Sequence, residues 1–304
     1  MMTLWYIPVV LRILLINTIF PWLLKGKVVQ ANFVQRFFLQ YLFCSVFAVL
    51  VAISLGQLVF TATTLIIAVI GVFNGFGAYS QWRATQINLS AMSIFAFLDD
   101  AIAISLGYLI LKEGKFLNTG VGIGLTLCAS VVILFAVNNY LKRKKGVKGK
   151  EHLPLRFFGY VMSFTIIWGV ATFLTRYFAL EGVGVGTFIF GWYGGSVITA
   201  FIIFLIKKEK GIFQEVKETM TNNNFCIMFV MSVLIMTNIW LSYWALQLAP
   251  LMVVKPIFFV SAMVIPAIIG LYIFKEAKKY ERREKLFFVI AFVGGVLIAL
   301  SFTP

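Results

Sequence analysis

LGYLILKEGK, residues 106–115, and IGLYIFKEAK, residues 269–278, lie 163 residues apart and agree at five of ten positions, including the Lys-Glu pair that closes each apolar run. A repeat inside a chain of apolar segments tells how the chain is built and where a solute would sit. The match extends in both directions. Upstream, Asn74 and Tyr79 align with Asn238 and Tyr243 after a one-residue shift. Downstream, ASVVILF at 129–135 aligns with GGVLIAL at 294–300. Nearer the start of each half, Asn17 with Lys25 parallels Trp168 with Arg176.

The composition says what solvent the repeat folds in. Of 304 residues, 61% are hydrophobic and 12% charged, with a mean hydropathy of +0.97. A soluble domain carries about a quarter charged residues. In hydrocarbon, only helices and closed barrels satisfy their own backbones. Barrel strands alternate apolar and polar over roughly ten residues. The runs here are longer and continuously apolar, so they are helices. Ten can be drawn: 3–24, 37–57, 59–82, 88–111, 117–139, 157–179, 185–206, 225–248, 251–274 and 286–303. Each is near the ~20 residues that cross a bilayer core. Only Ser54 to Gln57 separates the second from the third. The hydrophilic interruptions, 140–154 and 207–224, are too short for a soluble domain.

This reading gives an all-α integral membrane protein with ten transmembrane helices in two repeats. The first repeat covers 1–141, a basic linker 142–154, and the second repeat 155–304. Five is odd, so the second copy crosses the membrane in the opposite sense. Inverted repeats place a solute site near the midplane at their interface and support alternating access.

The net charge of +15 could suggest nucleic acid, but the basic residues cluster between apolar runs. The odd-numbered loops hold 21 Lys and Arg and the even-numbered loops 3. The positive-inside rule then puts the odd loops, with the basic stretch 142–150, in the cytoplasm of a multi-pass plasma (inner) membrane protein, and both termini outside. No nucleic-acid partner is expected. The stretch 142–150 reads as an orientation signal near lipid rather than as a specific binding site. Thr3 to Leu24 reads as a first helix and not a signal peptide, because no basic segment precedes it and no small-residue cleavage site follows. Cys44, Cys128 and Cys226 lie in apolar runs and read as small buried hydrophobes. His152 is the one histidine. No catalytic residue, metal or cofactor is expected, and the chain is not read as an enzyme.

Ionisable groups inside a membrane span cost about 2.5–3.5 kcal/mol each on insertion scales and mark function by default. Arg12, Asp99, Asp100 and Lys255 lie away from helix ends. Asp99 and Asp100 point about 100° apart. Asp100 shares its face with Ser93, Ala96 and Gly107, the smaller and more polar side, and is the aspartate expected to face inward. Lys255 lies one turn into the ninth helix, between Pro250 and Pro256. The fourth and ninth helices are repeat equivalents, so one carries the acid and the other the base. A zwitterion would fit, with its carboxylate on Lys255 and its ammonium on Asp100. Asp99 or Asp100 could also carry a coupling proton. The alternative is an internal ion pair that fixes helix packing, such as Asp99 with Arg12.

A second layer of candidates is polar or aromatic. Asn74 and Gln81 of the third helix and Asn238 of the eighth either line the site or bond across close-packed helices. Trp168, Tyr243 and Trp244 either wall a pocket or face lipid.

In its two five-helix halves, the helix-ending Glu113 and Glu276, Pro266 ten residues before Glu276, and the Trp168-Gly169 pair, the chain resembles the drug/metabolite transporter superfamily in its ten-helix EamA-like form. It differs in having Ala103 where a first-half proline would fall and Asn17 where a tryptophan is frequent. The resemblance implies secondary transport of a small organic solute and leaves the solute open. The leading expectation is a transporter of a small polar metabolite, an amino acid or similar zwitterion. Choline-like cations and exchange of phosphorylated or nucleotide-linked sugars are the alternatives, with an integral-membrane enzyme behind them. The expected partners are the solute, a coupled proton or counter-substrate, and lipid, with the chain acting as a monomer or homodimer.

Overall fold

A computed structural model of the chain describes residues 4–28, 33–95, 97–112, 118–144, 153–207, 222–279 and 281–301. Glu113, most of the basic linker with His152, and Lys208, Lys210 and Lys217 lie outside the described residues. Among those described, every regular element is helical. The helices are α1 (Tyr6–Val28), α2 (Phe33–Ser54), α3 (Ala62–Ile87), α4 (Leu89–Leu109), α5 (Thr119–Lys144), α6 (Leu155–Leu180), α7 (Val185–Lys207), α8 (Asn222–Leu248), α9 (Leu251–Ile268) and α10 (Arg282–Ser301). In α1, Ile13–Ile19 and Leu24–Val28 wind as π-helix, and α9 runs on into a π-helical Ile269–Ile273. All ten expected apolar segments fall on these helices. Eight of the helices, α1 to α8, are long and apolar enough to cross a membrane. The doubtful break after the second segment is real: α2 stops at Ser54, and Gly56 turns the chain at φ 63°, a left-handed value that glycine adopts without strain.

The outer surface of the bundle is apolar, and small hydroxyls are buried among its apolar core side chains. Ser90, Ser93, Thr165, Ser196, Thr199 and Ser232 are fully buried, whereas Phe60, Leu65, Ile206 and Leu300 are largely exposed. Apolar side chains outside and small polar ones inside suit a bundle whose solvent is hydrocarbon, where hydroxyls hold helices together.

The helices form two packed units that cut across the sequence halves. Unit 1 comprises Met1–Trp82 and Leu174–Leu248, and unit 2 comprises Arg83–Phe173 and Ala249–Pro304. In unit 1, α2 packs along α7 and also on α8, and α1 packs on α8. Helices α3 and α7 approach to backbone contact. A Cβ on Gly195 would overlap the Ala68 carbonyl oxygen, and one on Gly71 would overlap that of Trp192. Hydroxyls use the closeness: Ser196 Oγ donates to Gly71 O at 2.9 Å and Thr199 Oγ1 to Val72 O at 2.7 Å. The turn after α2 is held at Gln57, whose Oε1 accepts from the Gly186 N–H at 2.7 Å at the start of α7.

In unit 2, α5 lies along α10, and α9 packs on α4 and α10. Its core is aromatic, with Phe95 edge-on to Phe135 at 5.9 Å and to Phe157 at 6.0 Å. Helix starts are capped as their sequences require. Asn88 Oδ1 accepts the Ala91 N–H at 2.8 Å, and Asn118 Oδ1 accepts that of Val121 at 3.0 Å. Glu284 accepts the Glu281 N–H at the start of α10 and, through its other oxygen, Asn138 Nδ2 of α5, both at 3.0 Å.

Candidate functional site

Asp100 and Lys255 meet. Lys255 Nζ lies 2.6 Å from Asp100 Oδ1, and each side chain is only 8% exposed. The sequence accounts for the geometry. Pro250 starts α9, Lys255 follows in its second turn, and α9 packs on α4, so the lysine stem reaches across to the second half of the α4 span. A charge-assisted bond of this length, with little water near it, is strong only while both partners stay. Removing one member of a buried pair typically costs about 3–5 kcal/mol, because the other charge is left stranded.

Asp99 is half-buried, as its place 100° around the helix requires. On this side α6 comes close to α4: a Cβ on Gly169 would lie 2.6 Å from Ile102 Cβ and 2.9 Å from the Asp99 carbonyl oxygen. Trp168 is the neighbour of that contact. It packs against Phe164 with ring centroids 5.8 Å apart, and its buried indole Nε1 has no hydrogen-bond partner. Unit 2 thus holds an acid, a base and an unused N–H donor on three helices that pack around one core.

The other candidates belong to unit 1, where Asn74, Asn238 and Tyr243 bond to neighbouring segments. Asn74 Nδ2 donates to Ser196 Oγ at 2.9 Å across the α3–α7 contact. Asn238 Oδ1 accepts Arg12 Nε at 2.7 Å, tying α8 to α1. Tyr243 is fully buried; its hydroxyl donates to Val183 O at 2.5 Å and its ring lies 4.7 Å from that of Phe188. Gln81 is half-buried. Trp240 and Trp244 are exposed on the outer surface of α8.

Three features escaped the sequence reading. Both lysines of the repeated Lys-Glu pairs, Lys112 and Lys275, sit at φ 55°, the left-handed conformation that ends a helix. Glu276 then turns inward. It is 2% exposed and accepts the Leu89 N–H at 3.1 Å, the Ser90 N–H at 2.8 Å and Ser90 Oγ at 2.6 Å, so it neutralises the start of α4. Gln40 is fully buried in α2. Its only sequence signal is a lone amide on the stripe Phe33, Phe37, Gln40, Cys44, Ala48. The cysteines divide: Cys44 and Cys128 are buried as expected, but Cys226 is exposed beside the exposed Phe225 near the start of α8. Among the described residues no three His, Cys, Asp or Glu side chains cluster as a metal site would need.

No family model matches this chain, and no curated protein does. Among solved structures 22 chains match. One, a crystal structure described only as that of a protein, superposes with a TM-score of 0.61 at 14% identity over the whole of both chains. At that identity the likeness establishes a shared fold and nothing finer.

Proposed function

We propose that the protein is a secondary active transporter of a small polar metabolite, an amino acid or similar zwitterion, built as ten spans in two inverted five-helix repeats of the drug/metabolite transporter type. The observation that carries the reading is the buried Asp100–Lys255 pair. Two opposite charges placed at depth, on helices that correspond in the two repeats, are costly for a mere scaffold. A zwitterion can separate them without stranding either: its ammonium takes over Asp100 while its carboxylate takes over Lys255. The substrate thereby replaces the partner that each residue loses, and the protein pays no desolvation twice. The N–H of Trp168 is a further donor for a carboxylate. Asp99, beside this pair, is the candidate for carrying a coupling proton.

Several features support the repeat. Helix α2 packs on α7, α4 on α9 and α5 on α10, each helix on its counterpart from the other half. Both Lys-Glu pairs begin at the same left-handed backbone value. The loop charges give external termini and a cytoplasmic linker in the plasma membrane. A choline-like cation is the second reading, since Asp100 alone could hold an ammonium. It has less support because Lys255 already occupies that carboxylate.

The test uses the double variant Asp100→Asn/Lys255→Met, which strands no charge. Proteoliposomes of the wild type are screened for counterflow of amino acids, amines and sugar phosphates. A folded double variant that has lost amino-acid counterflow supports the reading. One that transports as the wild type reduces the pair to a packing device. Thermal stabilisation of the wild type by phosphorylated anions alone overturns the zwitterion assignment.

A further inference from the structure

Four cations of unit 1 gather at one of its ends. Lys25 and Lys27 lie in the last turn of α1, Arg36 lies in the first turn of α2, and Lys207 closes α7. The Arg36 guanidinium donates to the carbonyl oxygens of Lys27 and Val28, the latter at 3.2 Å, and so joins the end of α1 to the start of α2. Tyr79 of α3 sets its ring edge-on to Phe33 and Phe37 of α2, at 5.5 and 5.7 Å. Lys207 Nζ donates to the Tyr79 hydroxyl oxygen at 2.7 Å and stands 5.2 Å from the ring centroid. The end of α1, the start of α2 and the end of α7 thus form one basic rim, on which Lys27 and Lys207 are exposed.

The rim has no matching acid. Among the described residues of unit 1 the one Asp or Glu is Glu181, in the turn before α7 and so at the opposite end of that helix from Lys207. In the sequence, the α1–α2 link 29–32 is uncharged, and the stretch 208–221 after Lys207 holds three lysines and three glutamates, a net of zero. An orientation signal needs only charge somewhere in a loop. Here the charge is mounted on packed helix ends. It also borders apolar surface. Trp22 precedes Lys25 by three residues, and Ile202 and Ile206 lie one turn apart leading to Lys207, all three exposed. An ammonium carries three donors, and Tyr79 takes one from Lys207. A ligand matched to this rim is anionic where it meets the lysines and apolar alongside the helices. Basic clusters at the ends of membrane helices attract anionic headgroups, and the attraction fades within a Debye length, so the headgroup must sit on the rim itself.

We propose that this end of unit 1 is a docking surface for anionic phospholipid, with headgroup phosphate held by the lysines of α1 and α7 and acyl chains along the exposed apolar residues beside them. The surface is distinct from the Asp100–Lys255 pair of unit 2 and does not rest on the transporter reading.

The test is a thermal-shift titration of the purified full chain in neutral detergent. The probes are phosphatidylglycerol, phosphatidylcholine with the same acyl chains, and sodium phosphate. The expected result is saturable stabilisation by phosphatidylglycerol that neither of the others reproduces. Lys27→Gln/Lys207→Gln is expected to raise the half-saturating phosphatidylglycerol concentration by about tenfold or more. Arg282→Gln/Lys285→Gln removes the same charge from exposed positions at the start of α10 in unit 2 and is expected to leave that concentration unchanged. Equal stabilisation by phosphatidylcholine overturns the proposal, because the acyl chains then suffice. Equal stabilisation by sodium phosphate overturns the lipid as ligand. Equal weakening by the two double variants overturns the surface, since net charge alone would then explain the binding. Should Lys27→Gln/Lys207→Gln not fold, Lys27→Gln alone decides: a rise of about fivefold upholds the rim, and no change overturns it.

Discussion

At the residue scale the weight falls on two side chains that hold each other. Coulomb attraction between unit charges about 4 Å apart is roughly 4 kcal/mol at an effective dielectric of 20, and the pair here is closer and nearly dry. Its value lies in what happens when half of it is removed. Asp100→Asn or Lys255→Met alone is expected to destabilise the protein by about 3–5 kcal/mol, read as a lowered melting temperature in detergent. The double variant is expected to recover most of that loss, because two neutral groups of similar volume cost little. A double variant as unstable as the sum of its singles would assign the loss to packing around each side chain. That these two charges share one site was legible in the sequence, since charges at depth are rare and the repeat equated their helices; that they bond directly to each other was not, because the sequence reading placed a solute between them. One partner of Arg12 was not foreseen. An uncharged amide 226 residues away, Asn238, accepts its Nε. Amides carry no insertion penalty large enough to stand out in an apolar run.

At the scale of elements, glycine and glutamate do what no hydropathy pattern records. The α3–α7 contact exists because Gly71 and Gly195 let one backbone touch the other. Gly195→Leu is expected to separate these helices, break the Ser196 and Thr199 bonds, and leave unit 1 misassembled. Size-exclusion profiles and protease resistance would report this; a monodisperse, resistant variant would contradict the close approach. Glu276 acts over a similar distance. Its carboxylate caps α4 from the far end of the α9 run, so a helix start in one half of the sequence depends on a residue 187 positions later. Glu276→Ala removes three bonds from buried donors and is expected to cost about 2–3 kcal/mol; Glu276→Gln, which keeps an acceptor, should cost less. Equal losses would show that space filling, not capping, governs the site. The sequence marked Glu276 as a helix-end signpost because it follows the apolar run. Its inward turn depends on Lys275 adopting φ 55°, which no residue preference for lysine announces.

At the scale of the whole molecule, apolar run length alone located α1 to α10 among the described residues, because a bilayer demands about 20 such residues and forgives few exceptions. The ends are less legible: α1 continues to Val28, past the expected Leu24, through the basic Lys25 and Lys27. Hydropathy stops at charge, whereas backbone hydrogen bonding does not. Orientation remains the part that loop charge decides. Single cysteines introduced at Lys145 and at Pro304, in a chain whose own three cysteines are replaced, are expected to label oppositely with a membrane-impermeant maleimide in intact cells. The linker should be protected and the terminus reactive. The reverse pattern would invert the proposed topology.

The packing of α2 on α7 and of α5 on α10 has a consequence for how the protein comes into being. Synthesis delivers α1 to α5 first, and neither unit is complete at that moment. Unit 1 lacks α7 and α8, and unit 2 lacks most of α6 together with α9 and α10. The early helices must wait in the bilayer with their serine and asparagine faces uncovered until their mates emerge. Two polypeptides cut at the linker, 1–148 and 149–304, should therefore be degraded when made singly and stable when made together, each half serving as the other's chaperone.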